Sequence, residues 1–305
     1  MRIPAEWESQ RSIWLSYPHN QVHWGDRLEA IRLLYHDLIQ LIRKYQRVDI
    51  LVQSEDVASE LEAELNPGPY PLICHVIPTD DIWIRDYGPF FMLMEGSEAS
   101  AHAEISAHSE ASAHSEASAY AEVSAESLQI TSFEFNAWGE KYPPWQSDNQ
   151  VPKRLSTLLA APYSSSPLIL EGGAMEFNGR GLALTTAACL NGEKRNQASL
   201  PELCQQIDSS LSLDELLVLP HGLYGDHTDG HIDNVARFIS PYEVLLAMPE
   251  NSSSVNYQPM QANLHKLKSW RHPKYGSKLS IQMVPCPEPQ KFNAEILPLS
   301  YLNFI

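Results

Sequence analysis

Three short stretches of this chain concentrate residues able to act on a cation or move a proton. The first, Asp80-Asp81-Ile82-Trp83-Ile84-Arg85-Asp86-Tyr87-Gly88-Pro89, crowds carboxylates, a Trp and an Arg before a Gly-Pro turn. A carboxylate beside a Trp suits a planar cation, because the acid accepts paired N–H bonds while the ring face attracts positive charge. A surface turn whose Asp and Arg pair with each other would carry the same residues, so both readings stand. The second stretch, HGLYGDHTDGHIDN from His221 to Asn234, is the densest polar cluster in the chain. If it is extended, its period of two puts Asp229, His231 and Asp233 on one face. A His between acids is a proton-transfer group with a raised pKa. His and Asp at such spacings are equally metal ligands or members of a structural network, which leaves three readings open. The third, Leu170-Glu171-Gly172-Gly173, places an acid at a strand end beside two glycines that allow close backbone approach, although a capped turn with an exposed Glu would look the same.

The elements that must position these stretches alternate strand with helix. Ser12 to Tyr17 is strand-like; Asp26 with Glu29 predicts a capping box for a helix whose apolar face runs Leu28, Ile31, Leu34, Leu38, Ile42 and Tyr45. Val48 to Val52 is a strand, a short helix starts at Ser54, and another strand covers Leu72 to Ile77. Strands at Pro89 to Met94 and Leu128 to Phe135 flank a gap, after which come a helix near Val151 to Leu159 and strands at Leu168 to Leu170 and Leu182 to Thr186. The dipeptide Asn178-Gly179 predicts a type I′ hairpin turn. Strands near Leu216, Val235 and Leu245 and a helix around Met260 to Leu267 continue the α/β pattern.

Residues 96–125 break it, reading GSEASA, HAEISA, HSEASA, HSEASA, YAEVSA. A six-residue period fits neither a helix nor a heptad, and Ala, Ser, Glu and His offer too little apolar surface to offset ordering entropy, so a disordered low-complexity insertion over 96–127 is expected, enlarging a hairpin turn. Repeat expansion explains the even spacing of His102, His108 and His114 without a ligand role.

Composition excludes some functions. The formal charge is −17, with 21 Lys and Arg against 38 Asp and Glu. Binding a polyanion requires a basic face, so nucleic acid is not an expected partner, and a cationic ligand fits better. Cys74, Cys189, Cys204 and Cys286 lack paired or metal-type spacing, which suggests neither disulfides nor zinc. No apolar stretch approaches the ~18 residues of a membrane span, and the N-terminus has no basic start followed by an apolar run, so a cytoplasmic protein is expected.

Six landmarks, in order, resemble one family: PAEW at 4–7, WLSYPHN at 14–20, DDIWIRDYGP at 80–89, FNAWGEKYPPW at 135–145, LEGG at 170–173 and TDGHIDN at 228–234. The chain resembles the agmatine deiminase and bacterial-type peptidyl-arginine deiminase family over its whole length, apart from the repeat. The resemblance implies a single deiminase domain over 1–305 with the α/β fold of a five-bladed propeller, a pentein, of which this sequence would supply roughly four blades. It implies that Asp86 and Asp233 grip a guanidinium, that His231 handles protons, that Glu171 supports His231 and that Trp83 borders the substrate. No cofactor and no metal are implied. The implied reaction converts agmatine to N-carbamoylputrescine and ammonia through a cysteine thiouronium; free or peptidyl arginine are alternative substrates.

The sequence departs from the family in one respect. The family's nucleophile sits in a glycine-rich segment ending His-Cys beyond the SYLNF found here at 300–304, and none of the four cysteines replaces it: Cys74 precedes His75 in an apolar strand, Cys189 follows a strand, and Cys204 and Cys286 have no polar cluster around them. The chain therefore reads as truncated at its C-terminus and inactive as it stands. A guanidinium-binding remnant is the alternative, and unpaired strand edges would favour a homo-oligomer.

Overall fold

A computed structural model describes residues 1–94, 128–192, 194–292 and 295–304. The expected disordered loop over 96–127 lies outside these residues. The first sheet is parallel, in the order β1 (Ile13–Ser16), β2 (Val48–Val52), β3 (Leu72–Val76). Every residue of β2 is buried, as a central strand covered on both faces requires. The helix Leu28–Ile42 crosses from β1 to β2 and Glu55–Glu64 from β2 to β3. Ser54 caps the second by accepting from Val57 N, and Glu55 and Asp56 meet the positive end of its dipole.

The first helix corrects two expectations. Asp26 and Glu29 form no capping box, because the tight turn Gly25–Arg27 runs straight into the helix and Arg27 makes no side-chain cap. Its inward face is Leu28, Ile31, Tyr35, Ile39 and Ile42, whereas Leu34 is 62% and Tyr45 71% exposed. Leucines lie on more than one side of this helix, so the 3.6-residue period admits two stripes, and packing on β2 selects one.

Three further units share one plan: two antiparallel strands, a helix, and a return strand parallel to the second. They are β4 (Phe90–Leu93), β5 (Leu128–Glu134), Val151–Leu158 and β6 (Tyr163–Ile169); β7 (Glu176–Phe177), β8 (Leu182–Thr186), Leu200–Leu211 and β9 (Glu215–Leu219); and β10 (Ala236–Ser240), β11 (Glu243–Met248), Tyr257–Ser269 and β12 (Ser280–Pro285). A hairpin of Gln290–Phe292 with Glu295–Leu297 follows. The apolar clusters run on between neighbouring units: that of the third unit, β7–β9, also takes in Phe90, Met92 and Phe133, and that of β10–β12 takes in Leu182, Leu184, Leu217 and Leu219. In the third unit, Leu203, Ile207 and Leu211 recur every four residues on one helix face and are fully buried, worth about 1.5–3 kcal/mol each relative to exposure.

The β7–β8 turn also differs from expectation. Asn178 N bonds Leu182 O, so three residues, Gly179 to Gly181, form the loop. Gly179 is left-handed at φ 70° but Asn178 is not, and its Oδ1 instead accepts from Arg180 N and Leu182 N. An Asx turn has replaced the type I′ turn.

The connections between units matter most for function. Asp86 lies between β3 and β4, Glu171 to Gly173 between β6 and β7, and His231 to Asp233 between β9 and β10; these three connections pack against one another. No helix of the described residues is long and apolar enough to cross a membrane.

Candidate active site

Asp86 is carried by the single helical turn Ile84–Tyr87, which Gly88 closes through its N–H to Ile84 O at 2.9 Å. A Cβ on Gly88 would stand 2.3 Å from that carbonyl, so glycine is required there. The neighbouring acids hold the turn. Asp81 accepts from Trp24 Nε1 at 3.1 Å and from Ile82 N at 2.8 Å, and its Oδ2 is 2.8 Å from His23 Nδ1. Asp148 Oδ1 accepts from Asp80 N at 2.7 Å. Arg85 pairs with Glu6 and not with an Asp of its own stretch. Trp83 remains 43% exposed, stacked on Trp24 and edge-on to Trp138.

Gly173 is where the three sequence stretches meet. A Cβ built on it would stand 2.6 Å from Asp86 Oδ1, 2.6 Å from His231 Nδ1 and 2.8 Å from Asp233 Oδ2. The close approach expected of the Glu171-Gly172-Gly173 segment is therefore real, and its backbone also contributes a donor, Gly173 N to Asp86 Oδ1 at 3.0 Å. The stretch 228–234 is not extended, which corrects the shared-face expectation. Ile232–Asn234 is a 3₁₀ turn and Asp229 is left-handed at φ 69°. This reversal sends Asp229 outward to Lys141 Nζ at 2.5 Å and Arg195 Nη2 at 3.3 Å, while His231 and Asp233 turn inward and are buried.

His231 stands between two acids, Nδ1 3.6 Å from Asp86 Oδ1 and Nε2 3.9 Å from Glu171 Oε2. Burial would lower its pKa, but the carboxylates of Asp86, Glu171 and Asp233 outweigh that and hold it at about 9. Burial pushes Asp86 up and Asp233 up to about 6, in both cases against the charge of His231. Burial would raise Glu171 too, yet His231 and Arg195 hold it below the ordinary carboxylate range. Among the described residues, the buried atoms His231 Nε2 and Asp233 Oδ1 have no hydrogen-bond partner. Nε2 faces Glu171 Oε2, while Asp233 Oδ1 is left able to accept from a group outside the chain. The arrangement can hold a planar cation between Asp86 and Asp233 beside a charged imidazole.

Two residues of the site were not singled out from the sequence. Arg195 Nη1 donates to Glu171 Oε1 at 2.6 Å and Nη2 to Thr228 O at 2.9 Å, tying Glu171 to the segment that carries His231. Nothing in the spacing of NGEKRNQ marks it. Trp138 Nε1 donates to Asp86 Oδ2 at 3.1 Å. Its stretch is one of the six landmarks, but only the fold brings it within reach of a carboxylate 52 residues away.

The four cysteines stand apart from this cluster. Cys74, Cys204 and Cys286 belong to three different apolar clusters. Cys189 is the nearest to the chemistry, with its carbonyl bonded by Arg195, but its Sγ is buried against Thr186 Oγ1 and burial pushes the thiol well above its ordinary pKa. A cavity of about 630 Å³ opens beside the cluster, lined in part by Trp138, Lys141, Arg195, Tyr224, Asp226 and Asp229. Among the described residues no three His, Cys, Asp or Glu side chains are grouped to hold a metal ion.

A model of the family described as Porphyromonas-type peptidyl-arginine deiminase matches residues 2–305. The agmatine deiminase of Pseudomonas aeruginosa is 29% identical over 294 residues, covering 94% of this chain and 71% of that protein. That of Stutzerimonas stutzeri is 28% identical over 293 residues, with 94% and 71% covered. A Cys-to-Ser variant of C. jejuni agmatine deiminase with substrate bound superposes with a TM-score of 0.79 at 26% identity, over 100% of this chain and 79% of that one. The Enterococcus faecalis agmatine deiminase gives 0.77 at 25% identity, over 98% and 75%.

Proposed function

Because the chain belongs to the Porphyromonas-type peptidyl-arginine deiminase family, we propose that its site binds a guanidino compound for hydrolysis of a C–N bond, with agmatine as the substrate and N-carbamoylputrescine and ammonia as products. The observation that carries this reading is the convergence of Asp86, His231 and Asp233 around Gly173, within 2.8 Å of one point. Two buried carboxylates brought to one point can each accept N–H bonds from a guanidinium. The unpartnered Asp233 Oδ1 supplies an acceptor for it. Trp83 offers a ring face at the border, and the named relatives are agmatine deiminases. The four three-stranded units support reading these residues as one deiminase domain that supplies most of a five-bladed α/β propeller, with 96–127 read from the sequence as an insertion in it.

In the reaction so read, a thiolate adds to the guanidinium carbon held in line by Asp86 and Asp233, forming a C–S bond. His231 gives its proton to one nitrogen, the C–N bond breaks and ammonia leaves. Water then adds to the thiouronium carbon and returns one proton to the imidazole; collapse expels the thiolate and gives up a second proton to solvent, where the departed ammonia takes it up as ammonium, leaving the ureido product. Glu171, neutralised by Arg195, orients the imidazole and carries no proton itself. None of the four cysteines can supply the thiolate, which favours a second reading for the chain as it stands: a guanidinium-binding protein without turnover. The test is ammonia release from agmatine, free arginine and an arginyl peptide by a version extended through the family's His-Cys segment. Preference for agmatine supports the proposal, and release from none of the three refutes it.

A further inference from the structure

Residues 137–140 form a left-handed helical turn. Ala137, Trp138 and Glu140 have φ of 51°, 55° and 62°, with Gly139 at 82° between them. Left-handed residues other than glycine occur singly, because Cβ crowds the following carbonyl. A run of them persists only where the surroundings over-determine it, and such runs gather at functional sites.

Here the surroundings are specific. The turn closes on itself through Glu140 N to Asn136 O at 2.7 Å and Lys141 N to Ala137 O at 3.1 Å. Asn136 locks its entrance, accepting from Gly139 N at 2.9 Å and donating through Nδ2 to Lys194 O at 2.7 Å. Lys141 fixes its exit on His227 O at 2.8 Å. The inward residue is Trp138, buried edge-on to Phe135, Trp83 and Tyr142. Its indole N–H, the one polar group on that ring, ends on Asp86 Oδ2.

We propose that this left-handed turn is a device for aiming Asp86, with Trp138 as a positioning residue that fixes the carboxylate plane for the guanidinium and sets the aromatic wall with Trp83. The inference rests on reading Asp86 as a guanidinium-binding carboxylate. Asp86 is faced by Trp138 from the β5 side, by Gly173 and Glu171 from the β6–β7 connection, by His231 and Asp233 from the β9–β10 connection, and by Arg85 on its own turn. Gly173 N and Trp138 Nε1 each take one carboxylate oxygen, so the two donors together define its rotation.

The experiment compares the chain with Trp138→Phe, which keeps a ring and removes the N–H, and Asn136→Ala, which unlocks the turn without touching Asp86. In ¹H–¹⁵N spectra the indole signal lost in Trp138→Phe should also shift in Asp86→Asn. The Asp86 carboxyl, followed by ¹³C, should titrate at higher pH in Trp138→Phe because the carboxylate has lost a donor, and Asn136→Ala should move it the same way by less. Agmatine affinity should fall about tenfold in Trp138→Phe. An unmoved carboxyl midpoint with an unchanged indole signal in Asp86→Asn would overturn the proposal, and loss of thermal stability alone would show Trp138 to be packing only. If the parent binds no agmatine, the deimination reading fails while the two NMR readouts still decide the role of the turn. Should Trp138→Phe not fold, Asn136→Ala gives the same decision.

Discussion

His231 Nδ1 lies 3.6 Å from Asp86 Oδ1 at the point where a side chain on residue 173 would have to begin. The smallest addition there should therefore be costly. Gly173→Ala is expected to lower stability by about 1–3 kcal/mol through overpacking and to remove agmatine binding altogether. Chemical denaturation and titration calorimetry read the two effects. A variant that binds agmatine like the parent would show that the three side chains do not converge as described.

The pH dependence of stability follows from the same charges. The folded pKa of His231, about 9, is above its ordinary 6.5, so its contribution is present below pH 6.5 and is lost as pH rises through 9. Its size is at most about 3 kcal/mol. Asp233 is raised to about 6, so between about pH 4 and 6 the folded state keeps a proton that the unfolded chain releases, and stability falls as pH rises through that window. Urea midpoints at pH 6.5 and 9.5 should differ in the parent and converge in His231→Gln. An equal drop in both proteins would place the sensitivity elsewhere.

The register Leu93↔Leu128 brings the two ends of the 96–127 segment to adjacent antiparallel strands. Replacing residues 96–125 with a short turn should leave stability within ~1 kcal/mol, since loop tips tolerate change. Thermal melts of the two proteins test this, and a collapse of folding on deletion would contradict it.

What the sequence made legible, and what it hid, divides along physical lines. Asp86, Glu171, His231 and Asp233 were reached through the family landmarks, because residue chemistry alone left several readings open for the polar runs that contain them; each lies in a connection between strands. The β2 strand and the Ser54 cap were legible as local signals that survive without knowledge of the fold. Arg195 and Trp138 were hidden because their value lies in contacts with Glu171 and Asp86, 24 and 52 residues away. Asp229 was placed on the wrong face because a period of two holds only for extended chain, and its φ of 69° reverses the backbone just before His231. The helix at Leu28–Ile42 was misoriented because leucines on several sides leave its buried stripe to be chosen by tertiary packing.

Turnover is expected to be absent from this chain alone. Cys189 is buried with its thiol kept protonated, and the other three cysteines sit in separate apolar clusters. Losing a nucleophile typically removes several powers of ten in rate. Ammonia release from agmatine should stay at background, and robust release that Cys189→Ala abolishes would place the nucleophile where this account denies it.

The central claim is that Asp86 and Asp233 form a guanidinium grip, and calorimetric titration of the chain with agmatine and with putrescine tests it most directly, because the two ligands differ in the guanidino carbon and its nitrogens while sharing an amine end. Agmatine should bind at one site per chain, Asp86→Asn and Asp233→Asn should each weaken it about ten- to a hundredfold, and putrescine should not bind detectably. Equal binding of the two ligands, or agmatine affinity untouched by both substitutions, would contradict the claim.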